Sequence, residues 1–218
     1  MKRSDQRILT THTGSLPRSP KMQESLRIRE EQGELDQTSF DAITHQAVGE
    51  VVQRQIATGL DVINDGEQGR AQYATYVKDR LTGFEGERLV RTWSRLEDVD
   101  FPEFAANRTH TSSTSMPQPT CSGPITWKDW PAVERDLRNL KTAVGEPQAE
   151  EIFMTAASPG VIAYFLPNDY YANEEAYLYA LAEVMKDEYK ATVDAGFLLQ
   201  RDCPDLAMTR VSQFSELT

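Results

Sequence analysis

Apolar and polar positions follow two rhythms along this chain. Phe40, Ile43, Ala47, Val48, Val51, Val52 and Ile56 recur at helical spacing until Gly59, predicting an amphipathic helix that Thr38 and Asp41 open as a weak capping box. Val133, Leu137, Leu140 and Val144 form a second stripe, in a helix from about Trp130 with Pro131 near its first position. A third and longer stripe, Tyr177, Ala180, Leu181, Val184, Met185 and Val193, is capped by Asn173, carries Glu174 and Glu175 in its first turn, and stops at Gly196. Ser19 and Pro20 start a more polar helix that reaches Gly33.

Short apolar runs separate these helices. Five read as strands: the stretch from Ile8 that stops at Gly14, Leu60 to Asn64, Ser122 to Trp127, Glu151 to Ala156, and the run after Gly196 to Asp202. Strands alternating with helices predict β-α-β units with right-handed crossovers, hence an α/β fold on a parallel sheet. Three runs end in polar groups beside a Gly or Pro: Thr13-Gly14-Ser15, Asp65-Gly66-Glu67 and Asp202-Cys203-Pro204. Polar groups collected at one end of successive strands are how parallel barrels and doubly wound sheets build their sites.

Between Gln68 and about Thr120 the periodicity fails. Gly83, Gly86, Pro102, Pro117 and Pro119 punctuate it, and Arg88–Arg95 with Arg108–Ser113 alternate enough for a hairpin. A segment this long reads as a substrate-covering excursion within one domain spanning residues 1–218.

Composition narrows the partners. The 218 residues are 39% hydrophobic and 26% charged, which suits one ordinary core. A formal net charge of -11 argues against nucleic acid or an anionic membrane as the main partner, because both need clustered Lys and Arg. No apolar run approaches the roughly 20 residues of a membrane span, and Met1 to Gln6 has no signal-peptide core, so a cytoplasmic location is expected. Cys121 and Cys203 supply no disulfide framework and no CxxC pair.

At the strand ends, Glu67 can hold a substrate ammonium or act as a base, although Asp65-Gly66 also suits a plain turn. Asp202 stands in the equivalent place, or else caps a following helix. Thr13, Gly14 and Ser15 can offer N–H groups and hydroxyls to a carboxylate or phosphate; a simple turn accounts for them equally well. Trp127 can stack on a flat heterocycle or simply pack. His12, Glu67, Asp202 and Cys203 are acceptable zinc ligand types whose mutual distances the sequence leaves open.

Taken together, Thr11–Arg18, Asp65–Gln68, Ser122–Thr126 and Gln200–Met208 resemble the cobalamin-independent methionine synthase family, and more closely its short, single-barrel methionine synthase II-like branch. The resemblance implies a (β/α)8 TIM barrel with its site at the C-terminal strand ends. It also implies a zinc-dependent thiol methyltransferase that moves a methyl group from methyl-folate or a related donor to homocysteine or a similar thiol. Zinc would lower the thiol pKa and leave a thiolate nucleophile. Carried over, Thr13, Gly14 and Ser15 would bind the amino-acid carboxylate, Glu67 and Asp202 would hold the ammonium and carry the chemistry, and Trp127 would meet the pterin.

The family's zinc ligands lie on strands after the fifth, so none is expected here, and about five of eight units are expected in an incomplete barrel. Two other functions remain open: a thiol transferase opening epoxides, like epoxyalkane:coenzyme M transferases, and a non-catalytic subunit. Two open sheet edges would suit self-association or a complementing chain.

Overall fold

The structure is a computed structural model that describes residues 1–32, 36–89, 100–104, 117–145 and 149–212. Helix α1 (Pro20–Gln32) leads to α2 (Gln37–Thr58), and β1 (Val62–Ile63) follows. The next elements are α3 (Val77–Arg80), β2 (Gly86–Leu89), β3 (Pro117–Thr120) and α4 (Trp130–Val144). Then come β4 (Glu151–Ala157), α5 (Pro159–Phe165), α6 (Glu174–Asp194), β5 (Leu198–Asp202) and α7 (Asp205–Ser212). No helix among the described residues is long and apolar enough to cross a membrane.

The central sheet is parallel, in the order β1-β4-β5. Thr11 adds a parallel bridge to Val62 on the far side of β1, and Thr155 and Ala157 of β4 face Gln200 and Asp202 of β5 in register. The first expected strand is thus reduced to one bridge. The expected strand at Ser122–Trp127 is not in the sheet at all: Trp127 pairs antiparallel with Leu81, and β4 lies directly against β1. Gly123 and Pro124 explain this, since neither favours a continuous ladder. Four strand segments, not five, therefore make up the parallel sheet among the described residues.

Of the expected hairpin, only Arg88 and Leu89 fall within the described residues. The antiparallel pairing seen there is Gly86–Leu89 with Pro117–Thr120.

Alternation along β4 sorts its two faces. Ile152 and Met154 point into a core built with Val48 and Val52 of α2 and Leu140 and Val144 of α4. Thr155 points the other way, to Glu67. Arg201 of β5 lies toward the Tyr189 ring of α6, whereas Gln200 and Asp202 share the opposite face and a hydrogen bond. Thr155, Gln200 and Asp202 therefore share the face of the sheet opposite the α2–α4 core.

Local signals set the helix ends. Asp36, not Thr38, caps α2 by accepting from the Ser39 N–H, and Gly59 closes it with φ 82°. Asp129 caps α4 and Asn173 caps α6. Ser158 accepts from the Val161 N–H, so α5 begins directly at the end of β4.

Candidate functional site

The polar end of the sheet is centred on Glu67. Its backbone φ is 55°, in the left-handed region that a residue with a Cβ rarely enters. Asp65 Oδ1 accepts the Glu67 N–H at 3.0 Å, and Asn64 Oδ1 accepts the Gly66 N–H at 2.6 Å. The Arg18 guanidinium donates to the carbonyls of Glu67 and Arg70, both at 2.7 Å, and so brackets the turn from outside. These bonds hold a buried carboxylate in a strained backbone; such strain costs about 1–3 kcal/mol.

Two hydroxyls aim that carboxylate. Ser15 Oγ donates to Glu67 Oε2 at 2.5 Å, and Thr155 Oγ1 donates to Oε1 at 3.3 Å. Thr13 is exposed, and Gly14 turns the chain with φ 87° just before Ser15. Leu16 N–H donates to the Gly66 carbonyl, tying this loop to the Glu67 turn.

Asp202 is half-buried at the end of β5. Burial pushes its carboxyl above the ordinary value, the charge of Glu67 adds to that, and a bond from Gln200 opposes it. Asp65, fully buried, is raised mainly by burial as well. The Tyr73 hydroxyl is pushed up by burial first, and then by the charges of Asp202, Tyr164 and Glu67. Such a cluster favours an added cation, because a positive group relieves both burial and mutual repulsion.

Behind Glu67 lies a buried charged layer. Arg70 Nη1 donates to the Thr155 carbonyl at 2.7 Å, and its guanidinium lies 4.6 Å from the Tyr76 ring centre. Asp136 pairs with Arg80 at 2.5 Å and with Arg70 at 3.5 Å. Burial opposes the Asp136 charge, but the two arginines outweigh it and hold the carboxyl below its usual range. Tyr76 donates to Glu188 Oε1 at 2.6 Å, closing the layer against α6.

The structure thus brings together Ser15, Glu67 and Asp202 of the expected set. Trp127 is engaged elsewhere: its ring lies edge-on to Trp130 at 4.9 Å, and its indole N–H donates to Asp187 at 3.2 Å. His12, Glu67, Asp202 and Cys203 do not gather as metal ligands; among the described residues no three His, Cys, Asp or Glu side chains do.

Thr155 and Arg70 were missed in the sequence. Thr155 carried a signal, as the only polar residue in Ile152-Phe153-Met154-Thr155-Ala156. Arg70 carried none, since a charged residue in a Gly-rich turn reads as solvent-exposed.

A parallel sheet backed by helices, with a carboxylate cluster at its strand ends, defines an α/β protein of the strand-end-site class. The family model described as the catalytic domain of cobalamin-independent synthase matches residues 8–146, and the chain belongs to that family. The methionine synthase of Sulfolobus acidocaldarius is 26% identical over 196 residues, covering 89% of this chain and 51% of that protein. That of Saccharolobus solfataricus is 25% identical over 198 residues, covering 90% and 53%. The chain spans about half the length of the curated relatives it matches.

Among solved structures, the B12-independent methionine synthase of Shewanella sp. W3-18-1, in complex with selenomethionine, superposes with a TM-score of 0.68 at 23% identity. It is matched over 95% of this chain and 54% of that one. A putative vitamin-B12 independent methionine synthase of Listeria monocytogenes gives a TM-score of 0.61 at 24% identity, over 89% and 51%. These two establish likeness of fold.

Proposed function

We propose that this chain forms the amino-acid-binding part of a thiol methyltransferase of the methionine synthase type, built on a (β/α)8 barrel. Its thiol substrate is homocysteine or a close analogue, and its methyl donor is methyl-folate or a related compound. One observation carries the reading: a buried glutamate in a left-handed backbone, aimed by Ser15 and by Thr155 of β4, with a second raised carboxylate, Asp202, at the end of the neighbouring strand β5. An α-amino group fits that pair. The methionine analogue in the Shewanella protein supports an amino-acid ligand on this fold.

In this reading Glu67 and Asp202 hold the ammonium, and the Thr13-Gly14-Ser15 turn offers its N–H groups to the carboxylate. The ammonium pulls the Asp202 carboxyl back toward ionisation, so binding releases a proton wherever that carboxyl was still protonated. The amino acid is thereby fixed at one end, which orients its thiol. Zinc, implied by the family resemblance, finds no ligand set among the described residues, so these residues are assigned binding and orientation only.

The test is equilibrium dialysis of radiolabelled L-homocysteine against the full chain and against Glu67→Gln. Saturable binding to the parent, weakened about tenfold in Glu67→Gln, is the expected result. No binding to the parent, or undiminished binding to the variant, overturns the proposal.

A further inference from the structure

A cavity of about 270 Å3, lined by Arg70 but not by Glu67, opens among α1, α2, α3 and α4. Its charge balance differs from that of the chain. Six cationic and four acidic side chains line it, in a protein with a formal net charge of -11.

Most of the acids are already engaged. Asp136 pairs with Arg80 and Arg70, Asp41 with Arg135, and Asp79 with Lys78. Arg29 lies over the Phe40 ring, its guanidinium carbon 4.7 Å from the centroid, and neither it nor Lys128 has an ion pair among the described residues. Glu30, at the rim, is the one lining acid among the described residues without an ion pair, so among those residues positive charge is in excess.

The decisive feature is buried. Arg80 is 6% exposed and lines the cavity, its guanidinium carbon 4.7 Å from the Tyr76 ring centroid, and its Nη1 has no hydrogen-bond partner among the described residues. An unmet guanidinium donor in a buried position is costly, and guanidinium forks match oxyanions.

We propose that this cavity is a binding site for a small phosphate-bearing anion, either free phosphate or a phosphomonoester. Arg80 supplies the buried donor, and Arg29 and Lys128 close on the anion from the rim. At about 270 Å3 the cavity falls just below the usual range of ligand pockets, which suits phosphate or a short monoester. The site is separate from the Glu67 cluster, and its occupancy is read without any turnover.

The experiment is calorimetric titration of the full chain with inorganic phosphate, and in a second arm with glycerol phosphate, at constant ionic strength. Chloride serves as the salt control. Saturable binding is expected, about tenfold weaker in the Arg29→Gln/Lys128→Gln double variant, whose changes lie at the rim and leave the fold intact by circular dichroism. Tighter binding of glycerol phosphate identifies the monoester as the ligand, and tighter binding of phosphate identifies the free anion. Arg80→Lys, checked for folding in the same way, should weaken binding further. Binding of neither compound, or equal affinity in the double variant, overturns the proposal.

Discussion

Replacing Gly66 with alanine tests how the Glu67 turn is built. Gly66 has φ 61°, and a Cβ there would stand 3.0 Å from Leu16 Cβ and 3.2 Å from both Leu16 Cδ1 and Val51 Cγ2. Left-handed backbone costs an L-residue about 1–2 kcal/mol, and overpacking adds about 1–3 kcal/mol. The sum is about 2–5 kcal/mol, or roughly 6–12 °C in Tm for a central value near 3 kcal/mol in a chain of this size.

Gly59 is the control. Its φ is 82°, but nothing lies within 4 Å of an added Cβ, so Gly59→Ala should lose only the backbone contribution of about 1–2 kcal/mol. Urea denaturation of both variants gives the difference directly. Homocysteine titration should show affinity reduced about tenfold in Gly66→Ala, because Glu67 moves with its neighbour, and unchanged in Gly59→Ala. Equal destabilisation of the two, with homocysteine affinity retained in both, would refute the argument.

Other outcomes follow from the same geometry. Ser15→Ala removes the hydroxyl that donates to Glu67 at 2.5 Å and should weaken homocysteine binding about tenfold by titration calorimetry. Because the Asp202 carboxyl lies above its ordinary value, folded Asp202 resists ionisation. Its contribution to stability therefore falls as pH rises from about the unfolded value of 3.8 through its folded value, and Asp202→Asn should remove that fall in pH-dependent denaturation. Ammonium binding runs the opposite way, strengthening with pH over that window in the parent and flattening in the variant. Asp136→Asn should destabilise the chain by about 3–5 kcal/mol in urea, since it leaves Arg70 and Arg80 buried without their anion. The Asp136 contribution is full above the ordinary 3.8 and lost as pH falls through its depressed folded value.

The helices were legible because their signals are local. The stripes at Phe40–Ile56, Val133–Val144 and Tyr177–Met185 each bury one face, although Val193, expected on the last of them, is 56% exposed and Thr192 is buried instead; Asn173 and Gly59 start or stop the backbone whatever lies around them. Strand membership was less legible. Ser122–Trp127 has the residue types of a strand, yet which strand neighbours β1 is decided by long-range packing, and β4 took that place. In the site, Glu67, Asp202 and Ser15 stood beside Gly or Pro at the ends of apolar runs, so their position was readable. The partners that aim them were not: Thr155 reaches Glu67 from 88 residues away, and Arg70 meets Asp136 across a core that the sequence presents only as apolar stripes.

The central claim is that Glu67, with Ser15 and Asp202, holds the amino-acid end of a thiol substrate. Its most direct test is calorimetric titration of L-homocysteine into the full chain and into Glu67→Gln, with propanethiol as the ligand that lacks the amino and carboxyl groups. The account predicts saturable homocysteine binding, at least about tenfold weaker in Glu67→Gln, and none of propanethiol. Absence of homocysteine binding to the parent chain, or binding to Glu67→Gln as tight as to the parent, would contradict it.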